Sequence, residues 1–188
     1  MANVELIIPD SEFIKIHPDR IQQIVNSAVP YYKDDGSMLF HGLDHPFAVT
    51  NSFLNEWVTC AENGYETDLE AGVGATAHHD DDFHIPLKNS GYEYKETRSA
   101  DIAEPILSSI HFSSEQIVLS RGSIEATRAG VKCKNLLEKQ VVRSDLAKTG
   151  MPNLKFLKFF IKFRKEKRYL TGDFTTLNEI KDINIDKQ

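Results

Sequence analysis

The chain is poor in cysteine. Its two residues, Cys60 and Cys133, supply neither a disulfide framework nor a paired-thiol motif. Reduced thiols in a cytoplasmic protein are the expectation from that usage. Long apolar runs are missing as well, and no stretch approaches the length that spans a bilayer. The opening residues Met1 to Pro9 contain no basic region, and their apolar run is too short for a signal peptide. A cytoplasmic location with no membrane partner is therefore expected. Positive charge is in deficit: 22 Lys and Arg against 28 Asp and Glu leave a formal net charge of −6. This balance argues against a nucleic-acid backbone as main partner, which calls for a basic face. No P-loop, dinucleotide fingerprint or serine-nucleophile motif is present, so those enzyme classes have no support. No internal repeat, low-complexity tract or composition shift marks a second domain.

What remains is an ordinary globular composition, 40% hydrophobic and 27% charged over 188 residues. That length buries a core without staples. One domain is expected, with its core from about Pro18 to Leu170 and a polar tail from Thr171 to Gln188. Strand signals are weak and apolar residues recur at helical spacing, so the expected fold is a compact all-α bundle of about six or more helices.

Pro18 and Asp19 open the first helix, with Ile21, Ile24, Val25 and Ala28 on one face. The second runs from Asp44 to Glu62, and Asn63-Gly64 stops it. The third starts near Asp68 and ends close to His79-Asp80. Its Ala71, Gly72, Gly74, Ala75 and Ala77 are small enough for close helix contact. Ile85 to Gly91 reads as a loop. The fourth helix covers Lys95 to Ile110, where Pro105 predicts a kink or a break. Ser113 and Gln116 have the spacing of a capping box that starts the next helix. Further helices fit Asn135 to Lys148 and Pro152 to Tyr169. In the last of these, Lys155, Lys158, Lys162 and Lys165 share one face and Phe156, Phe159, Phe160 and Phe163 another. That is the pattern of a core helix with a solvated cationic side.

Three separated segments carry candidate chemistry. The first is Phe40 to Val49, containing His41 and His45. The second is Ala75 to Phe83, where small residues lead into His78-His79 and Asp80-Asp81-Asp82. The third is Val141 to Ala147, with Asp145 between Ser144 and Leu146. Pro46 disfavours helical geometry at His45, which puts the helix start there or at Asp44 and His41 on the preceding loop. The doublet and triplet leave two registers open, with His78 or His79 as the functional histidine. His79-Asp80 keeps the two residue types adjacent. The bland alternatives are a solvated acidic turn at 80–82 and an Asp145 that faces solvent beside Arg143. An aspartate on an apolar helix face is costly unless it is paired or metal-bound. Two imidazoles and two carboxylates together suit a borderline or hard divalent cation.

The order His…His-Asp…Asp resembles the HD superfamily of metal-dependent phosphohydrolases, over roughly Asp35 to Gly150 and so most of the chain. Glu96-Thr97-Arg98-Ser99-Ala100 and Ile124-Glu125-Ala126-Thr127 resemble segments that flank the later part of that pattern, and Phe83 matches an aromatic found just after the pair. The resemblance implies an HD-domain-like helical bundle with His45, His79, Asp80 and Asp145 as metal ligands. The ion would be Mn, Mg, Co, Zn, Fe or Ni. Val131 stands where the family usually has a further histidine, and only His84 and His111 lie between the pair and Asp145, which favours a mononuclear centre.

The implied reaction is hydrolysis of a small phosphate ester, a nucleotide among the options, by metal-activated water. Asp80 would hold the ion and orient that water, and His41 would protonate the leaving oxygen. Arg98, ahead of Arg128, would pair with phosphate oxygens. Glu96 would fix Arg98 or a histidine behind the ion. The competing expectation is a non-catalytic metal- or nucleotide-binding regulatory domain. An oxygenase on this scaffold would need two irons. The partner is then a small-molecule phosphate, and homo-oligomer formation stays open.

Overall fold

A computed structural model of the chain describes residues 5–33 and 41–147. Six α-helices follow in order: α1 Pro18–Ala28, α2 Asp44–Glu62, α3 Leu69–His78, α4 Lys95–Ser109, α5 Ser114–Ala126 and α6 Leu136–Leu146. Single 3-10 turns occupy Val29–Tyr31 and Leu87–Asn89. No strand forms among the described residues; one isolated parallel bridge joins Lys33 to Gly42. The fold is all-α, as the helical spacing predicts. The expected helix from Pro152 to Tyr169, its cationic face and the polar tail lie outside the described residues. No helix among the described residues is long and apolar enough to cross a membrane.

Local chemistry sets the helix ends. Asp68 caps α3 by accepting from the Ala71 amide at 2.9 Å. Ser113 and Gln116 form both halves of a capping box at the start of α5, at 3.2 and 3.0 Å. Asn135 caps α6 through the Glu138 amide at 2.9 Å. Gly64, at φ +79°, takes the left-handed conformation just past α2. Pro105 does not break α4, which continues to Ser109. The proline sits on the exposed side of the helix, where water can take over the carbonyl that loses its amide partner.

The bundle is organised around α3, which packs against all five other helices. Every residue of α3 except Glu70 is buried. A helix surrounded on all sides needs small side chains, and α3 supplies glycine and alanine at half of its positions. A Cβ on Gly72 would lie 2.0 Å from Phe53 Cζ on α2. One on Gly74 would lie 3.0 Å from Phe112 Cε1. The neighbours therefore approach to backbone distance, which fixes where α3 ends relative to α2 and α6.

This packing makes an opposed pair of expectations. Alanine raises helix propensity over glycine by up to about 1 kcal/mol. At Gly122 on α5 the new Cβ would meet only Glu138 Oε1 at 3.5 Å, so Gly122→Ala is expected to stabilise. At Gly72 the clash with Phe53 wins, and Gly72→Ala is expected to destabilise by about 1–3 kcal/mol. Urea denaturation of both variants checks the pair. Equal shifts in the same direction would mean that the α2–α3 contact is looser than described.

Candidate metal centre

The ends of three helices deliver four side chains to one place. His45 lies in the first turn of α2, His79 is the C-cap of α3, Asp80 follows it, and Asp145 is in the last turn of α6. One ligand atom from each falls within a group whose members all lie within 4.8 Å of one another. His45 Nε2 is 3.1 Å from His79 Nε2 and 3.2 Å from Asp80 Oδ2. His79 Nε2 is 3.1 Å from Asp80 Oδ2 and 3.2 Å from Asp145 Oδ1. His45, His79 and Asp80 are buried, while the Asp145 side chain is 23% exposed and marks the open side.

These donors fit a cation. His79 Nδ1 sits 2.9 Å from the Thr76 carbonyl oxygen, a contact that requires a proton on Nδ1. In the neutral ring, the Nε2 lone pair then points into the cluster, toward two carboxylates and a second imidazole. Such an array is repulsive unless a proton or a metal ion sits within it. Ligand atoms held ~2.1 Å from one ion lie about 3.0 Å apart at right angles and about 3.4 Å apart at tetrahedral angles. Four contacts of the group, at 3.1–3.2 Å, fall in that interval, and all of its ligand atoms lie within 4.8 Å of one another.

The electrostatics separate the two histidines. Burial takes the His45 pKa down to about 3, so its ring is neutral. Burial also works against a charged His79, but Asp80 and Asp145 together outweigh it and lift its pKa to about 10. His79 faces two carboxylates where His45 faces one. Burial alone would raise the Asp80 carboxyl, yet Lys95, His79 and His41 hold it well below the usual range. Asp145 is likewise lowered, because His79 outweighs its burial. At neutral pH the His79 proton and the Lys95 ammonium together compensate the two carboxylates.

The open register at His78-His79 resolves through side-chain direction. His78 turns away from the cluster. Its Nδ1 meets Asp81 Oδ2 at 2.6 Å and its Nε2 meets Ser27 Oγ at 3.0 Å. Burial raises the Asp81 pKa to about 6. Serine, histidine and aspartate in this order look like a nucleophilic triad. However, the Ser27 hydroxyl donates to the Ile24 carbonyl at 2.6 Å, so the serine stays engaged in its own helix. The network pins the turn after α3 to α1.

The remaining candidates divide. His41, on the loop before α2, places Nε2 3.3 Å from Asp80 Oδ2 and stacks its ring on Phe83 at 3.7 Å. It stands beside the four-residue group and outside it. Arg98 does not have the placement expected of a phosphate ligand. Its guanidinium is buried and donates to the carbonyls of Ile85 and Asp82, both at 2.8 Å. Ser99 Oγ donates to the Asp81 carbonyl at 3.2 Å. Asp82 adopts φ +55°, and its carbonyl accepts from the Ile85 amide at 2.8 Å as well as from Arg98. The Arg98-Ser99 segment is thus a clamp on the His79-Asp80 turn. Glu96 is buried too, with Oε1 4.0 Å from Lys95 Nζ, and neither Arg98 nor a histidine hydrogen-bonds it among the described residues. Arg128 stacks over the Tyr94 ring at 4.1 Å.

Lys95 is the residue that sequence reasoning missed. Its Nζ donates to Asp80 Oδ1 at 2.7 Å and lies 4.4 Å from the Phe83 ring centre. Burial disfavours its charge, and Asp80 more than offsets that. One signal was available. A lysine in the first turn of a helix opposes the helix dipole, and such local conflicts mark functional sites.

No protein-family model matches the chain, and no curated protein or solved structure matches it with significance. The site's geometry and chemistry therefore carry the functional reading.

Metal uptake should depend on pH in a defined sense. A divalent ion must displace the His79 proton, whereas His45 and both aspartates are already deprotonated at neutral pH. Binding is expected to release about one proton per ion and to strengthen about tenfold per pH unit above neutrality, levelling off as His79 loses its own proton. Calorimetric titration in two buffers of different ionisation enthalpy reads the proton count. A count of zero would show that metal binding displaces no proton from His79.

Proposed function

We propose that the cluster is the centre of a metal-dependent phosphohydrolase that acts on a small phosphate ester. The carrying observation is the convergence of His45, His79, Asp80 and Asp145 with His41 at the edge of the same carboxylate. That arrangement supports the resemblance to the HD superfamily. We propose a single ion, since one group of ligands converges among the described residues. When bound, a divalent cation supplies Lewis acidity and a water of lowered pKa.

The protein's own groups divide the remaining work. Asp80 Oδ2 orients the attacking water and takes part in moving its proton. His41 Nε2 delivers a proton to the leaving oxygen, from a ring that Phe83 holds flat. The buried rings of His45 and His79 keep bulk water from the inner wall, and the exposed edge at Asp145 admits the ester. A regulatory domain that binds without turnover is the alternative that the same ligands would serve.

Turnover of a panel of nucleotides and sugar phosphates, with divalent metals added back to stripped protein, tests the reading. Asp80→Ala is expected to abolish activity, because it removes a ligand and the water-orienting group together. His41→Ala is expected to lower turnover by roughly 10²–10⁴ while metal content stays near wild type. Equal metal loss in both variants would make His41 a ligand and withdraw its acid role. If fully metallated wild type hydrolyses no phosphate ester, the regulatory reading takes its place.

A further inference from the structure

We propose that Lys95 is the anion-binding residue of this centre, the group that holds a non-bridging oxygen of the substrate phosphate. The inference rests on the phosphate-ester reading above. Asp80 has two faces: Oδ2 meets His41, His45 and His79, and Oδ1 meets Lys95. The ammonium thus stands directly beside the ligand cluster, across a single carboxylate. Around it the inner residues are closed to solvent, with Asp80 at 2% exposed, whereas the Lys95 side chain is 33% exposed. Lys95 therefore reaches both the cluster and the solvent from which a substrate arrives.

Its donors are not used up. An ammonium carries three N–H groups. Asp80 Oδ1 takes one at 2.7 Å. The Glu96 carboxylate, at 4.0 Å, is beyond hydrogen-bond reach. The Phe83 ring supports the cation from one side at 4.4 Å.

The charge balance calls for such a group. Asp80 and Asp145 neutralise a divalent ion, and Glu96 adds a further negative charge nearby, so the ion by itself gives an anion little net attraction. Among the described residues, Arg98 and Arg128 near the start of α4 are committed elsewhere. Both terminal nitrogens of Arg98 bind loop carbonyls, and Arg128 lies over Tyr94. Among the described residues Lys95 is left to supply positive charge at the mouth, and its position at the unfavourable end of α4 is explained by that task.

The alternative is that Lys95 only positions Asp80, and the two roles predict different losses. Inorganic phosphate is titrated calorimetrically into metal-loaded wild type, Lys95→Gln and Lys95→Arg, with metal affinity measured separately on each. The expected result is phosphate binding at least about tenfold weaker in Lys95→Gln, mostly recovered in Lys95→Arg, with metal affinity changed by less than about threefold. Lys95→Met replaces Lys95→Gln if the amide variant fails to fold. Equal phosphate affinity in wild type and the uncharged variant overturns the proposal, and so does a loss confined to metal affinity. In either case, phosphate bound by the wild type leaves the phosphohydrolase reading intact. If metal-loaded wild type neither binds phosphate nor hydrolyses an ester, the reading itself falls and the role of Lys95 falls with it.

Discussion

Asp80 is a carboxylate with almost no contact with solvent, and that state is tolerable only with partners on both oxygens. Lys95 supplies one partner at 2.7 Å, and three imidazoles crowd the other oxygen between 3.1 and 3.3 Å. These groups come from the loop before α2, from α2, from the end of α3 and from α4. A single side chain thus ties four segments together. The dependence is mutual: without the carboxylate, the imidazoles would face one another with nothing to hold the proton or ion between them. A cluster of this kind is weak evidence for stability and stronger evidence for a site.

The rest of the fold serves to hold that carboxylate still. α3 contributes little chemistry along its length, yet its small residues let five helices close around it, and its C-terminal end is thereby fixed. Beyond that end the chain makes a turn that includes a left-handed Asp82, a conformation that costs about 1 kcal/mol or more for a residue with a side chain. Surrounding contacts hold it. The Asp82 amide donates to the Tyr31 carbonyl at 3.1 Å, and the Tyr32 hydroxyl donates to the Ala77 carbonyl at 3.0 Å. Arg98 and Ser99 take the carbonyls on the other side. The His78–Asp81 pair adds a tether to α1 through Ser27.

Two neighbouring residues at the end of α3 therefore do different work. His78 belongs to the scaffold and His79 to the site. The same division runs through the first turn of α4, where Arg98 supports the turn and Lys95 touches the Asp80 carboxylate. Asp80 and Asp81, adjacent and both buried, are held in opposite directions: cations keep the first ionised, and burial raises the second to about 6. Proximity in sequence says little about role here, because the backbone reverses direction within a few residues.

The sequence by itself determined the helices and, apart from the choice between His78 and His79, the membership of the cluster. Apolar spacing, the Asp68, Ser113 and Asn135 caps and the Asn63-Gly64 stop act through local hydrogen bonding and periodicity, which read directly from neighbouring residues. The set His45, His79, Asp80 and Asp145 was legible through the resemblance of its order to the HD superfamily. Tertiary structure alone decided between His78 and His79, since the choice depends on which way each ring turns past the last helical residue. It also placed the Arg98 guanidinium on the Ile85 and Asp82 carbonyls, because those carbonyls come together only once the turn is formed. Lys95 became part of the site for the same reason: 15 positions separate it from Asp80, and only the packing of α4 against α3 brings its ammonium to that carboxylate.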